Sequence, residues 1–282
     1  MKRKTILFWF ISVCIFTNAQ NTEEKKYLLT TNTNTLGLTT ASFLDPYLSP
    51  LTYTGYGIGF EHETRRYLSP ENINISTQGK YNLDAAYLLN PESTSLMMYV
   101  GANYNWGMHY HFRIQKGFQL LAGGLIDADF GFKNMLRNIN NPVNLDLAIN
   151  LNLSAIAMYD LICRKKKLRL QFALQTPIFG CMFVPLSGAS YYEMFELGNL
   201  KDVFHVSSLI NKRGLKGTLS VDVPFNRSVW RFGLNFRTLK YSANDEVFVK
   251  NQLSLIVGTT FDAASFSGQR NKMPKNFISP ND

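Results

Sequence analysis

The stretch Leu96-Met97-Met98-Tyr99-Val100-Gly101-Ala102-Asn103-Tyr104-Asn105-Trp106-Gly107-Met108-His109-Tyr110-His111-Phe112 carries an apolar or aromatic residue at every even position. From Gly101 onward its odd positions hold only Gly, Asn or His. Side chains of an extended chain point alternately to its two faces, whereas a helix would need apolar residues three and four apart. The stretch therefore reads as a strand with one apolar and one polar face. Strands of soluble sandwiches usually run about 5 to 6 residues. A strand this much longer suits the wall of a membrane barrel, whose outer face meets lipid while its inner face lines a polar lumen.

The same alternation extends in both directions. Ile73, Ile75, Thr77, Gly79, Tyr81, Leu83, Ala85 and Tyr87 alternate with Asn72, Asn74, Ser76, Gln78, Lys80, Asn82 and Asp84. Leu145, Leu147, Ile149, Leu151 and Leu153 alternate with Asn144, Asp146, Ala148, Asn150 and Asn152. Shorter runs at Leu168 to Leu174 and Trp230 to Phe236 repeat it. Turn-forming clusters punctuate the chain at 45–50, 65–71, 90–91, 115–117, 138–142, 164–167, 185–190, 198–199, 211–214, 224–227 and 242–245. These breaks predict an all-β antiparallel meander closing into a transmembrane β-barrel of about 12 strands, with about 10 as the alternative if segments merge. The piece from Tyr191 to Leu209 is the least regular. With both termini on the periplasmic side, the connections at 138–142 and 185–190 fall on the outer side. Those at 164–167, 198–199 and 224–227 fall on the inner side.

The chain has 282 residues, 45% hydrophobic, 13% aromatic and 17% charged. This composition excludes a disordered, collagen-like or disulfide-stapled chain. Lys2-Arg3-Lys4, the apolar run from Thr5 to Phe16 and Thr17-Asn18-Ala19 read together as a secretory signal peptide over residues 1–19. The run is too short for a membrane-spanning helix, which needs about 20 residues. The expected organisation is a lead-in at 20–33, one barrel domain over 34–261 and a flexible tail at 262–282. Removing the signal lowers the formal charge from +9 to +6, and the one dense basic run, Arg164-Lys165-Lys166-Lys167, falls at a turn. A nucleic-acid partner is therefore not expected. Cys163 and Cys181 lie far apart along the predicted strands, against a Cα separation of about 4.4 to 6.8 Å in a disulfide. They read as free cysteines acting as small buried hydrophobes.

Chemistry in such a barrel belongs to the inner face. The lumen-facing polar candidates are Glu61, Glu63, His109, His111, Asp127, Asp129, Arg231 and Arg237, joined by Lys80, Asp84, Asp146, Lys167, Arg169, Lys216, Asp222 and Lys250. Both signs occur in similar numbers. Buried charge without a partner is costly, so a paired, plugged or narrow lumen is expected, with a passage for small solutes as the other reading. His109 and His111 share a face, and with Glu61 and Glu63 they could ligate a metal. The second and fourth strands are not neighbours in a meander, so no metal and no cofactor is expected. His205 and Ser207 share a strand face, as the base and nucleophile of an outer-membrane lipid hydrolase would. No orienting acid accompanies them, so no catalytic residue is assigned and a phospholipase-like enzyme stands as the alternative.

Asp45-Pro46-Tyr47-Leu48-Ser49-Pro50 followed by Tyr53-Thr54-Gly55, then His62-Glu63-Thr64, Trp106 to Phe112, Leu121-Ala122-Gly123-Gly124-Leu125, Asn141-Pro142 and Ser190-Tyr191-Tyr192-Glu193 carry a resemblance. In these motifs the chain is similar to a family of exported Gram-negative proteins known as a domain of unknown function, over positions 34 to 261. The resemblance implies export and an all-β fold, and it brings no activity, cofactor or catalytic residue. The combined expectation is a non-enzymatic outer-membrane barrel with a structural, surface or small-solute channel role. Its partners would be outer-membrane lipid and the barrel-assembly machinery, to which Phe261 would present a closing aromatic residue. A soluble exported ligand-binding barrel, periplasmic or extracellular and with its faces inverted, is the remaining alternative.

Overall fold

The computed structural model describes residues 27–139, 141–163, 166–198, 200, 202–226, 228–264 and 276–280. Its elements in chain order are β1 (Tyr27–Asp45), β2 (Ser49–Tyr67), β3 (Ile75–Leu89), β4 (Leu96–Gln115), β5 (Phe118–Asn134), β6 (Val143–Cys163), β7 (Lys166–Phe183), α1 (Tyr191–Phe195), β8 (Phe204–Ser208), β9 (Lys212–Phe225), β10 (Ser228–Ala243), β11 (Glu246–Ala264) and β12 (Phe277–Ile278). Consecutive strands from β1 to β7 pair antiparallel, β7 pairs with β9, and β10 and β11 continue the meander. β11 returns to β1 in register from Leu29↔Ala264 to Leu44↔Val249, so ten of the twelve strands close into a barrel. β8 adds to β7 alone, and β12 lies parallel to the start of β1, pairing Tyr27 with Phe277 and Leu28 with Ile278.

Alternation sets which way the wall faces. In β4, Tyr104, Trp106, Met108, Tyr110 and Phe112 are exposed, while Asn103, Asn105, His109 and His111 between them are buried. Leu38, Ile58, Leu83, Ile126, Ile149 and Leu255 carry the exposed apolar face round the ring. Pairing of β11 with β1 covers the edges that the first and last wall strands would otherwise leave open. The connections after β2, β4, β6 and β9 lie at the end that holds the start of β1 and the end of β11. Those after β1, β3, β5, β7 and β10 form the opposite rim. There Asn244 and Asp245 adopt φ of 52° and 61°, the left-handed pair that matches a two-residue hairpin to the strand twist.

Just inside that rim the inward residues turn apolar. Phe43, Tyr53, Leu88, Met97, Tyr99, Met182, Tyr241 and Phe248 form one buried cluster with Tyr47 and Leu48 of the first rim turn and with Met135. Phe43 meets Tyr99 edge-on at 4.9 Å, and Tyr241 stacks on Phe248 at 4.7 Å. Burial of each large apolar side chain stabilises by about 1.5 to 3 kcal/mol. The cluster is thus a cohesive stopper across the mouth.

Several expectations change. The segment 191–209 supplies no spanning strand. Ser190 and Glu193 form a reciprocal capping box that starts α1, and only the five residues of β8 are extended. Gly198 consequently sits in the rim excursion, not in a turn at the terminal end, and Asn199 lies outside the described residues. The wall begins at Tyr27, inside the expected lead-in, and runs to Ala264, inside the expected tail, where Phe277–Ile278 also pairs. Thr30, Thr31, Asn32 and Thr33 at one strand end and Asp262, Ala263 and Ala264 at the other blur the alternation there. Cys163 and Cys181 are free but exposed, because their positions in β6 and β7 look outward. The expected signal peptide lies outside the described residues, as do Arg164 and Lys165; Lys166 and Lys167 open β7.

Candidate functional site

The lumen is crossed by successive layers of ion pairs. At the terminal end Arg169 grips Asp160 with two bonds, Nε to Oδ1 at 2.6 Å and Nη2 to Oδ2 at 2.9 Å, and Lys167 joins Asp160 at 3.1 Å. Arg231 makes the same fork on Asp222 at 2.7 and 2.8 Å and approaches Glu63 at 3.9 Å, while Arg65 donates to Glu63 at 2.6 Å. Lys80 pairs with Glu61 at 2.7 Å, and Asn235 donates to the same carboxylate at 3.1 Å. At mid-height Lys216 spans Asp127 at 2.9 Å and Asp129 at 3.2 Å, and Asn103 donates to both at 2.8 Å. Arg237 holds Asp84 at 2.5 Å, and Lys133 bridges Asp45 and Asp146 at 2.7 Å each. Two-pronged guanidinium–carboxylate pairs are among the strongest polar contacts, and charges withdrawn from water need such partners.

His109 and His111 are buried, and each bonds a hydroxyl: His109 Nε2 to Ser154 Oγ at 2.9 Å and His111 Nε2 to Ser76 Oγ at 2.7 Å. Glu61 and Glu63 are held by Lys80 and Arg65. Among the described residues no group of three or more His, Cys, Asp or Glu converges on a metal position. His205 and Ser207 sit opposite Met182 and Gly180, on the inner side of the rim. Ser207 Oγ donates to Asn150 Oδ1 at 3.4 Å, and no described bond joins it to His205. Both members of the expected lipid-hydrolase pair thus lie on the inner side of the wall, away from its apolar outer face.

Between the mid-height layer and the stopper is a chamber lined by Asp84, Asp127, Asp129 and Asp146 and by Lys212, Lys216, Arg237 and Lys250. Lys212 Nζ donates to Asn150 Oδ1 at 2.8 Å. Lys250 bonds the Tyr99 hydroxyl and lies over the rings of Tyr99 and Phe43 at 4.3 and 5.6 Å. At the rim the Tyr47 hydroxyl donates to Ala189 O at 2.9 Å, and that of Tyr191 donates to Asn144 Oδ1 at 2.9 Å while accepting from the Leu145 N–H at 2.7 Å. Burial, with the negative charges of Asp45 and Glu193 nearby, pushes the Tyr47 phenol up to about 12; burial likewise raises Tyr191.

Sequence reasoning passed over Asp45, Lys133, Asn150, Lys212 and the stopper. Lys133 was within reach, since it continues the inward series of Asp127 and Asp129. The stopper had a signal too: Met97 and Tyr99 are apolar on the otherwise polar face of β4. Asp45 and Lys212 fall in turn-forming clusters, where strand phase gives no guidance.

No functionally curated protein matches the sequence. Among solved structures, the transport unit of the autotransporter AIDA-I from Escherichia coli matches 90% of this chain and 94% of its own at 11% identity, with a TM-score of 0.46. The outer membrane protease OmpT from Escherichia coli matches 84% of this chain and 97% of its own at 6% identity and a TM-score of 0.45. Ail, the attachment invasion locus protein of Yersinia pestis, matches 82% and 99% at 8% identity and 0.33. In sequence, the model of a family described as a protein of unknown function, DUF3316, matches residues 6–270, and the chain belongs to that family.

Proposed function

We propose that this chain is a non-enzymatic outer-membrane barrel with a closed resting lumen, serving as a structural or surface protein of the envelope and not as an open pore. The observation that carries this reading is the series of ion pairs crossing the lumen together with the apolar stopper at one rim, inside a wall whose outward residues are apolar. A soluble barrel would put those apolar faces inward. A membrane strand needs about 9 to 11 tilted residues, and the wall strands run from 14 residues in β9 to 21 in β6. No described helix is long and apolar enough to cross a membrane.

Fractionation of expressing cells, a gel of boiled against unboiled sample and planar-bilayer recording test the proposal together. The expected result is an outer-membrane protein with a heat-modifiable band and no steady ion current. Recovery as a soluble periplasmic protein would overturn the location. A stable open conductance would overturn the closed lumen and leave the barrel as a small-solute channel. Lipid hydrolysis lost on Ser207→Ala with the heat-modifiable band intact would replace the non-enzymatic reading.

A further inference from the structure

We infer that the excursion between β7 and β9, comprising α1 and β8, lies in the headgroup layer of the outer leaflet with its apolar side on lipid; this rests on the bilayer-spanning reading above. Leu145, Leu147 and Phe183 point outward from β6 and β7, and Met194 and Val203 of the excursion are buried against that cluster. The excursion is therefore folded against the outside of the wall at the rim. Phe195 stacks on Phe183 at 6.0 Å, and Phe204 meets the same ring at 5.7 Å.

Packing uses only part of its apolar surface. Tyr192, Phe195, Leu197, Phe204 and Val206 remain exposed, and Ile210 is 89% exposed. Phe204 and Val206 lie opposite Phe183 and Cys181, in the outward phase of the wall, so this patch continues the apolar belt through exposed Phe179. Left in water it would be an apolar patch of the kind that marks a contact surface.

The backbone of β8 sets the depth. Among the described residues, no strand pairs with its edge away from β7. Asn211 covers part of that edge, donating from Nδ2 to Val206 O at 2.8 Å and accepting the Ser208 N–H on Oδ1 at 2.8 Å. Polar backbone without a partner is not tolerated in hydrocarbon. An apolar face that calls for lipid and an edge that calls for water are satisfied together only in the interfacial layer, where amphipathic elements settle.

Site-directed spin labelling tests this on the full chain with Cys14→Ser, Cys163→Ser and Cys181→Ser. Single labels go at Leu197→Cys, Ile210→Cys, mid-wall Leu255→Cys and rim Ile139→Cys, in vesicles of phosphatidylcholine and phosphatidylglycerol. Collision with oxygen, which partitions into lipid, is compared with collision with a water-soluble nickel chelate. The expected result is oxygen-dominated relaxation at 255, and nickel access at 197 and 210 several-fold below that at 139, at a shallower depth than 255. If 255 is in lipid while 197 and 210 match 139, the excursion stands in water and the inference fails alone. Low access to both reagents with dipolar broadening would mean that a second copy covers the patch, which also overturns it. Nickel access at 255 would remove the bilayer reading and this inference with it.

Discussion

Lys133 shows how the lumen trades solvation for geometry. Its ammonium sits between Asp45 of β1 and Asp146 of β6 at 2.7 Å from each, so one cation ties strands that are not neighbours in the ring. Removing one member of a buried ionic group leaves charge without compensation, at a cost of about 3 to 5 kcal/mol. Lys133→Met is expected to lower the urea unfolding midpoint of the refolded barrel accordingly. Adding Asp45→Asn should restore part of the loss, since the two sites are coupled; simple additivity would show that the bridge does not act as a unit. Tyr47 makes a different prediction. An unburied phenol titrates near pH 10, whereas burial and two neighbouring carboxylates push this one up to about 12. Below the lower value the phenol is neutral whether folded or unfolded, and its contribution is complete. As pH rises from about 10 toward 12 the unfolded chain gives up the proton first, so the folded state loses ground. Tyr47→Phe should flatten the fall of the unfolding midpoint across that window.

At the scale of elements, the irregular strand is β7. It pairs with β9 through Arg169 to Gln175 and with β8 through Phe179 to Phe183, and its register with β6 slips between Leu151 and Asn152. Pro177 sits at the slip, having no N–H to give a ladder. Thr176 Oγ1 donates to Gly214 O at 2.9 Å across the gap. A Cβ on Gly214 would lie 3.2 Å from Leu239 and 3.3 Å from the Pro177 ring, so a side chain there would press on both neighbours at this seam. Thr176→Val should cost about 1 kcal/mol, the usual worth of one hydrogen bond, and speed amide exchange along the seam while the heat-modifiable band persists. An unchanged exchange rate would mean that the hydroxyl is not what closes the gap. The contrast with β4 explains what was legible. From Gly101 onward its two faces differ at every step, so strand, length and inward residues can be read directly. In β7 and beyond, Pro177, the capping pair Ser190 and Glu193 and the five residues of β8 interrupt the period. Local chemistry there overrides alternation, and the extra wall strands expected between 191 and 209 do not form. The pairing partners of the lumen charges were illegible for another reason: Lys216 meets Asp127 across the barrel, and strand phase fixes a face without fixing a height.

For the whole molecule, the decisive contact is the one furthest apart in sequence. β1 and β11 close the ring by pairing residues such as Thr33 and Thr260, whose hydroxyls lie 3.1 Å apart. Contacts this remote are costly to form early, because the chain between them must be ordered first. Closure should therefore be a late, all-or-none event that depends on an intact β11. Among the described residues beyond it, β12 pairs with β1 at Phe277 and Ile278, Asn276 O accepts from the Tyr27 N–H at 2.8 Å, and Ser279 reaches Thr31 at 3.4 Å. A chain ending at Ala264 keeps the whole β1–β11 register and Phe261, and it should still give a compact band that shifts on boiling. A chain ending at Ile256 loses the pairing from Val257 to Ala264 and leaves one end of β1 open against β11. An open edge is untenable in a bilayer, so this shorter chain should give no heat-modifiable band and should accumulate in the insoluble fraction. If the chain ending at Ala264 failed in the same way, the C-terminal segment would be part of the closing machinery, and the barrel could not be treated as complete at β11.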